Sequence, residues 1–444
     1  MSMDDEQLAT LRDERVRETV RRCWDGSAFY RSRLQAAGVE PGDIACVADL
    51  ERLPILLSKE DERELQDRSR IELGHPFGEH LCAAPEEVVS VCSTSGSTGA
   101  PTFYGFTAED IGVTDELWGR ALRMAAVGRR DVCLHGFGLS MYLAGVPLVR
   151  AIERAGAQAV PVGAEVGSER LLRIGALVGA TVLCCTPSYA SYLSEQGPEQ
   201  MRALGLRRII CAGEPGAGLP EVRARIEEAT GAVVHDALGG AHGIMNASDG
   251  SQPYDGMIVL ADDCSVQQLV DPESGAPVSI PEDGRPAFGE RVKTTLRWQA
   301  QPQLRAAVGD IYEMRRVPGA DGALETRVRV IGRTDDMLIV KGVKLYPAAV
   351  RDLVAELAPH TTGQFRIVLD GPPPRVRPPL RLRVERGERS TQDADGALVS
   401  ALSERMHVRL SVRPQIEVLP AGSLPRTAHK SAMIEIVTGG GVHG

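Results

Sequence analysis

Between residues 131 and 235 short apolar runs alternate with stretches of helical period, and this alternation restricts the possible folds more than any other feature. Asp131-Val132-Cys133-Leu134-His135-Gly136 reads as a strand, residues 141–155 as a helix, and Gln158-Ala159-Val160-Pro161-Val162 as a second strand. A helix over 168–178 follows, then strands over 180–185 and 208–212, a helix over 219–229 and a strand over 232–235. Strands joined by single helices return in the same direction, so the order predicts a parallel sheet with crossover helices. Ligands on such sheets collect at the carboxyl ends of the strands. That points to the segments Gly136-Phe137-Gly138, Thr186-Pro187-Ser188-Tyr189 and Gly213-Glu214-Pro215-Gly216.

The flanks read differently. Residues 7–45 have helical spacing until Gly38 and Pro41 interrupt it. Beyond about residue 255 the texture changes to short alternating strands with turns such as Asp271-Pro272-Glu273-Ser274-Gly275. A boundary falls near Gly332-Arg333-Thr334-Asp335-Asp336, followed by helices over 347–357 and 393–407 and strands near 364–369, 380–385 and 410–418. The expected class is α/β: a large N-terminal domain of several subdomains, 1–332, with mostly parallel sheets flanked by helices, and a small α+β domain, 333–444.

The stretch Ser93-Thr94-Ser95-Gly96-Ser97-Thr98-Gly99-Ala100-Pro101-Thr102 follows an apolar run at 88–92. Glycines let its backbone turn with N–H groups aimed inward, and the hydroxyls add donors, so it can wrap phosphate oxygens without a charge. No Gly-Lys-Ser/Thr ends it, which separates it from the P-loop. By composition alone it also suits a flexible surface loop. A net charge of −10 argues against nucleic acid as the main partner. No apolar run reaches the length of a membrane span, and the acidic start does not read as a signal peptide. Nine cysteines, several inside apolar runs and none in a C-x-x-C pair, read as reduced thiols of a cytoplasmic protein.

Four motifs stand in order: the Ser/Thr/Gly loop, Gly309-Asp310, Gly332-Arg333-Thr334-Asp335-Asp336, and Leu424-Pro425-Arg426-Thr427-Ala428-His429-Lys430. Together they resemble the adenylate-forming superfamily of acyl-CoA synthetases, and within it the phenylacetate–CoA ligase branch. Phe29-Tyr30-Arg31-Ser32-Arg33-Leu34, Cys184-Cys185-Thr186-Pro187-Ser188-Tyr189, Gly213-Glu214-Pro215 and Met337-Leu338-Ile339-Val340-Lys341-Gly342-Val343 extend the likeness over about residues 15–436. The resemblance implies ATP-dependent activation of a carboxylic acid as acyl adenylate, followed by transfer to coenzyme A. Its cofactors would be ATP, Mg²⁺ and coenzyme A, its acid aromatic, its C-terminal domain a mobile lid, and its assembly a homodimer.

Residue by residue, Lys430 matches the catalytic lysine of the family, Asp310 the acid that accepts the ribose hydroxyls, and Arg333 an arginine that contacts ribose and phosphate. Asp335 takes the hinge position. Gly213, Glu214 and Pro215 match the segment beside adenine. Ser93, Thr94, Ser95, Gly96, Ser97, Thr98 and Gly99 would hold the triphosphate, with Thr98 near the metal. The acid pocket would draw on Phe137, Tyr142, Tyr189, Leu238, Gly239, His242 and Ile244.

Two departures stand out. The family carries Tyr-Gly-Leu-Thr/Ser-Glu where this chain has Asp236-Ala237-Leu238-Gly239-Gly240-Ala241-His242-Gly243. Aligning Asp236 and Gly239 puts Leu238 on the tyrosine and His242 on the metal-holding glutamate, and imidazole is a poor ligand for hard Mg²⁺. The family's Arg-Tyr-Arg-Thr-Gly-Asp is here Arg305-Ala306-Ala307-Val308-Gly309-Asp310. Three readings follow: a normal acid–CoA ligase; a specialised relative that activates an acid, or nitrite, for amide or diazo formation without CoA; and a non-catalytic nucleotide-binding homologue. His242, Asp262, Asp263 and Cys264 lack the regular spacing of a zinc site.

Overall fold

Four strands, Val132–His135, Val182–Cys185, Arg208–Cys211 and Val233–Gly240, form with the edge strand Gln158–Pro161 the parallel end of a twelve-stranded sheet. The structure, a computed structural model, describes residues 4–93, 101–240, 242–319, 322–334, 336–341, 343–371, 375–424 and 433–437. Val182–Cys185 is buried at every position, as expected of a strand covered by helices on both faces. The helices Val146–Arg154, Ser168–Val178 and Pro220–Thr230 fall close to the spans that periodicity predicts, whereas Pro187–Gln196 occupies a stretch for which no helix is expected.

The last parallel strand outruns its sequence reading. Val233–Asp236 pairs in parallel with Arg208–Cys211, and the same strand then continues through Gly240 to pair antiparallel with Ile244–Ala247. Gly239 permits this close pairing, because a Cβ there would lie 2.8 Å from the Met245 side chain and 3.1 Å from Trp118. From this strand onward the sheet is antiparallel, running through Met257–Val259, Leu324–Arg333, Ala306–Pro318, Ala287–Thr295 and Ser265–Val270 to Pro277–Val278. The class is mixed α/β, and within the twelve-stranded sheet parallel pairing joins five strands.

Two compact units divide the chain: Met1–Ala217 with Ile226–Arg329, and Gly218–Arg225 with Val330–Gly444. The second contains the sheet Pro414–Leu419, Leu380–Arg386, Thr361–Leu369, Ile434–Ile436 and a three-stranded sheet, with helices Pro347–Ala355 and Asp395–Leu410. Leu353, Val354, Ile367, Leu382, Leu402 and Met406 form its own core.

The Ser/Thr/Gly stretch is carried by a separate two-stranded ribbon, Ser90–Ser93 paired antiparallel with Phe103–Phe106. A lone two-stranded ribbon is marginal in water. Here two buried side-chain amides complete the outer edge of Phe103–Phe106. Gln66, on the helix Lys59–Glu72, accepts from the Phe103 N–H at 2.9 Å and donates to the Phe103 carbonyl at 2.7 Å, as a third strand would. Gln301 accepts from the Gly105 N–H and donates to the Phe77 carbonyl at 2.6 Å. Ser93 N–H donates to the Met141 carbonyl at 2.7 Å. Gln301→Leu keeps the volume but strands buried backbone groups, each costing about 1–3 kcal/mol. The variant should lose about 2–5 kcal/mol from the first unfolding transition in urea, whereas the exposed Gln200→Leu should not.

Candidate active site

The parallel strands bring the sequence-predicted segments to one edge of the sheet. Phe137 follows the first, Thr186–Tyr189 the second, and Gly213–Pro215 the third, while Asp236–Gly239 lie on the fourth. Thr186 caps the helix Pro187–Gln196 by accepting from the Tyr189 N–H. Glu214 takes the Ser188 N–H at 2.9 Å, so its carboxylate anchors the loop beside that helix start. Asp236 is buried and accepts from the Tyr254 hydroxyl at 2.8 Å.

Of the expected acid-pocket residues, Phe137, Tyr189 and Ile244 are buried, Leu238 and Gly239 are half-buried, and Tyr142 is exposed. Phe137 belongs to the main core beside Trp118 and Leu148. The Tyr189 hydroxyl meets Ser168 Oγ at 3.3 Å. Thr94, Ser95, Gly96, Ser97, Thr98, Gly99, Asp335 and Lys430 lie outside the described residues. Arg333 is half-buried at the end of Leu324–Arg333.

Asp310 is presented by a β-bulge. The pairing of Ala287–Thr295 with Ala306–Pro318 slips between Glu290 and Val292, and Gly309 takes a φ of +81° in the slip, a backbone that glycine adopts without strain. Glu290 accepts from the Gly309 N–H at 3.1 Å. Arg291 pairs with Asp310 at 3.0 Å and donates to the Tyr312 hydroxyl at 2.9 Å. This leaves a carboxylate side chain one-fifth exposed, oriented by a buried guanidinium, with acceptor capacity for a vicinal diol.

Behind the ribbon lies a buried polar knot that sequence reasoning missed. Glu62 accepts from the Tyr104 hydroxyl at 3.3 Å and from Gln303 Nε2 at 3.2 Å, and His80 Nε2 lies 3.8 Å from it. Lys293, buried on the strand that also carries Arg291, is electrostatically linked to both Glu62 and Asp310. Burial pushes Glu62 up to about 7 and Lys293 down to about 7. Glu62 and Gln303 are far apart in the chain (241 residues), and no local pattern could have paired them.

His242 differs from its expected role. Its ring is 1% exposed, packed edge-on against Tyr104 at 4.7 Å and Trp298 at 5.6 Å, and neither ring nitrogen has a hydrogen-bond partner among the described residues. Burial, then the charges of Lys293 and His80, hold it well below the ordinary imidazole range. Among the described residues no group of three or more His, Cys, Asp or Glu side chains could hold a metal ion. Asp263 is engaged by Arg15 and Arg120.

Phenylacetate–coenzyme A ligase of Thermus thermophilus is 30% identical to this chain, covering 95% of it and 94% of the relative. The chain belongs to the phenylacetate–coenzyme A ligase family. It is thus an AMP-forming ligase of the adenylate-forming superfamily. The Escherichia coli enzyme of the same name is 26% identical over 97% of this chain and 94% of that relative. The family model for the AMP-binding enzyme C-terminal domain matches residues 342–435. A solved 2-hydroxyisobutyryl-CoA ligase, in the postadenylation state with 2-HIB-AMP, is 27% identical. The superposition has a TM-score of 0.82 and covers 98% of this chain and 89% of that one.

The knot has a defined acid response. Burial lowers His80 from 6.5 to about 4, and Glu62 is raised from 4.5 to about 7. As pH falls from 6.5, the unfolded chain gains histidine protons that the fold refuses, and stability drops. As pH falls from about 7 to 4.5, the fold takes a proton on Glu62 first, and stability rises. The opposed signs flatten the wild-type profile. In Glu62→Gln the offsetting proton uptake is gone and Lys293 loses the carboxylate that favours its charge, so urea titrations stepped from pH 6.5 to 4.5 should show a steeper loss, up to about 1.4 kcal/mol per pH unit for each group that the fold keeps unprotonated.

Proposed function

We propose that this protein activates an aryl or arylacetic acid with ATP as the acyl adenylate and passes the acyl group to coenzyme A. The observation that carries this reading is the match to phenylacetate–coenzyme A ligases over 95% of the chain, and the sequence motifs that hold Asp310, Arg333 and Lys430 resemble those of the family. The acid's carboxylate oxygen bonds to the α-phosphorus of ATP. The bond from that phosphorus to the bridging oxygen breaks, and pyrophosphate leaves. The coenzyme A thiol then loses its proton and bonds to the acyl carbon, and AMP departs. Negative charge gathers on the α-phosphate in the first step, so cations and donors aimed in advance lower the barrier.

In this reading Lys430 bridges the carboxylate and the α-phosphate, Arg333 meets ribose and phosphate, and Asp310 accepts the ribose hydroxyls. Gly213, Glu214 and Pro215 lie along adenine, and the loop Thr94–Gly99 holds the triphosphate. Asp335 is the hinge of a lid domain that begins near residue 333. Mg²⁺, when bound, neutralises phosphate charge, and it arrives on the nucleotide with Thr98 beside it. Nine free cysteines support a reducing, cytoplasmic setting. The partners are small molecules rather than nucleic acid or membrane, and the assembly is a homodimer as in the family branch.

Pyrophosphate release across a panel of aromatic acids, 2-hydroxyisobutyrate and nitrite, with and without coenzyme A, tests the reading. Release should need an aromatic acid and end in a thioester. Lys430→Ala should lower it by about 100-fold or more. Asp310→Asn should raise KM for ATP about tenfold, the loss of one charge-assisted hydrogen bond. Release with an acid or nitrite but no thioester would favour the specialised, CoA-independent reading. ATP binding without release for any acid would overturn both.

A further inference from the structure

Alternate residues of a strand share a face, so Tyr104 and Phe106 point to the same side of the ribbon strand Phe103–Phe106. Four rings close on that side. His242 meets Tyr104 edge-on at 4.7 Å, Trp298 meets Phe106 at 5.4 Å, and His242 meets Trp298 at 5.6 Å. All four are buried. The ribbon that carries the phosphate-binding stretch therefore rests on His242 and Trp298.

His242 is also held in an unusual backbone. Its φ is +71°, a left-handed conformation uncommon outside glycine, in which histidine is enriched with asparagine and aspartate. The neighbouring antiparallel turn, from Gly240 to Ile244, imposes it. The ring is neutral by its burial and offers hard Mg²⁺ no carboxylate.

We propose that His242 is a positioning residue that sets the phosphate-loop ribbon through Tyr104 and Trp298, rather than a ligand to the metal of the nucleotide. The proposal rests on the adenylation reading for what the ribbon binds. The ring, not its nitrogens, carries the role, and the position gives Mg²⁺ no protein ligand.

Two variants separate the roles. His242→Asn keeps a residue suited to positive φ and supplies an oxygen that Mg²⁺ prefers, but it loses the ring. His242→Phe keeps the ring and loses every metal-binding atom. Melting temperature, KM for ATP, KM for the acid, and ATP affinity with Mg²⁺ and in EDTA are measured for both. An edge-on aromatic pair is worth about 0.5–1.5 kcal/mol, so the Asn variant should weaken ATP about three- to tenfold with and without Mg²⁺. Its KM for the acid should not move, its melting temperature should fall, and the Phe variant should restore both the ATP affinity and the melting temperature. The proposal is overturned if the Asn variant keeps its ATP affinity while the Phe variant loses affinity only when Mg²⁺ is present. If wild type binds ATP but forms no adenylate with any acid, the adenylation reading fails while the binding arm still decides the role of His242. If wild type binds no ATP, the phosphate-loop role fails with it.

Discussion

A two-stranded ribbon is marginal in water, and the surroundings of this one supply what it lacks. Ser90–Ser93 and Phe103–Phe106 have no place in the large sheet. The outer edge of Phe103–Phe106 is completed by Gln66 and Gln301, and its inner face is covered by His242 and Trp298. A side-chain amide carries a donor and an acceptor in the same relation as a peptide group, which is why glutamine can stand in for a missing strand. The ribbon is thus anchored by groups from the helix Lys59–Glu72, the loop near 298–301 and the turn at His242.

The same knot reaches Asp310. Tyr104 ties the ribbon to Glu62, and Lys293 lies within electrostatic reach of Glu62 and of Asp310, whose partner Arg291 is two residues away on the same strand. Placing an acid and a lysine in a dry interior is costly, and burial raises the one and lowers the other until both stand at about 7. Their value lies in specifying one arrangement: hydrogen bonds from Tyr104 and Gln303 to Glu62 have fixed directions, which a purely apolar core lacks. The ribbon and Asp310 are therefore referenced to one buried cluster within a single unit.

Much of this architecture was legible in advance, and the exceptions have physical causes. The parallel strands were readable because Val182–Cys185 and its neighbours are short apolar runs between amphipathic helices. Asp310 was recognisable from Gly309-Asp310, though not the bulge or Arg291 that orient it. The helix Lys59–Glu72 was opaque. Its sequence, KEDERELQDRSRIE, is polar nearly all round, yet Glu62, Gln66 and Ser69 share a buried face. Hydrophobic periodicity cannot find a polar face that is buried because its partners are polar too. The extension of Val233–Gly240 past Asp236 was missed for a related reason, since its glycines carry no side chain for a pattern to show.

Sequence by itself determined the fold class, the order of the elements and the family chemistry, because periodicity and ordered motifs are local properties of the chain. It also set which residue stands at position 242. Tertiary structure alone decided where that residue's ring lies. A histidine in a glycine-rich turn suggests a ligand, and only the approach of Tyr104 and Trp298 from distant segments encloses the ring beneath the ribbon strand Phe103–Phe106. Packing of that kind depends on which surfaces meet after the chain has folded, and no spacing within one segment records it.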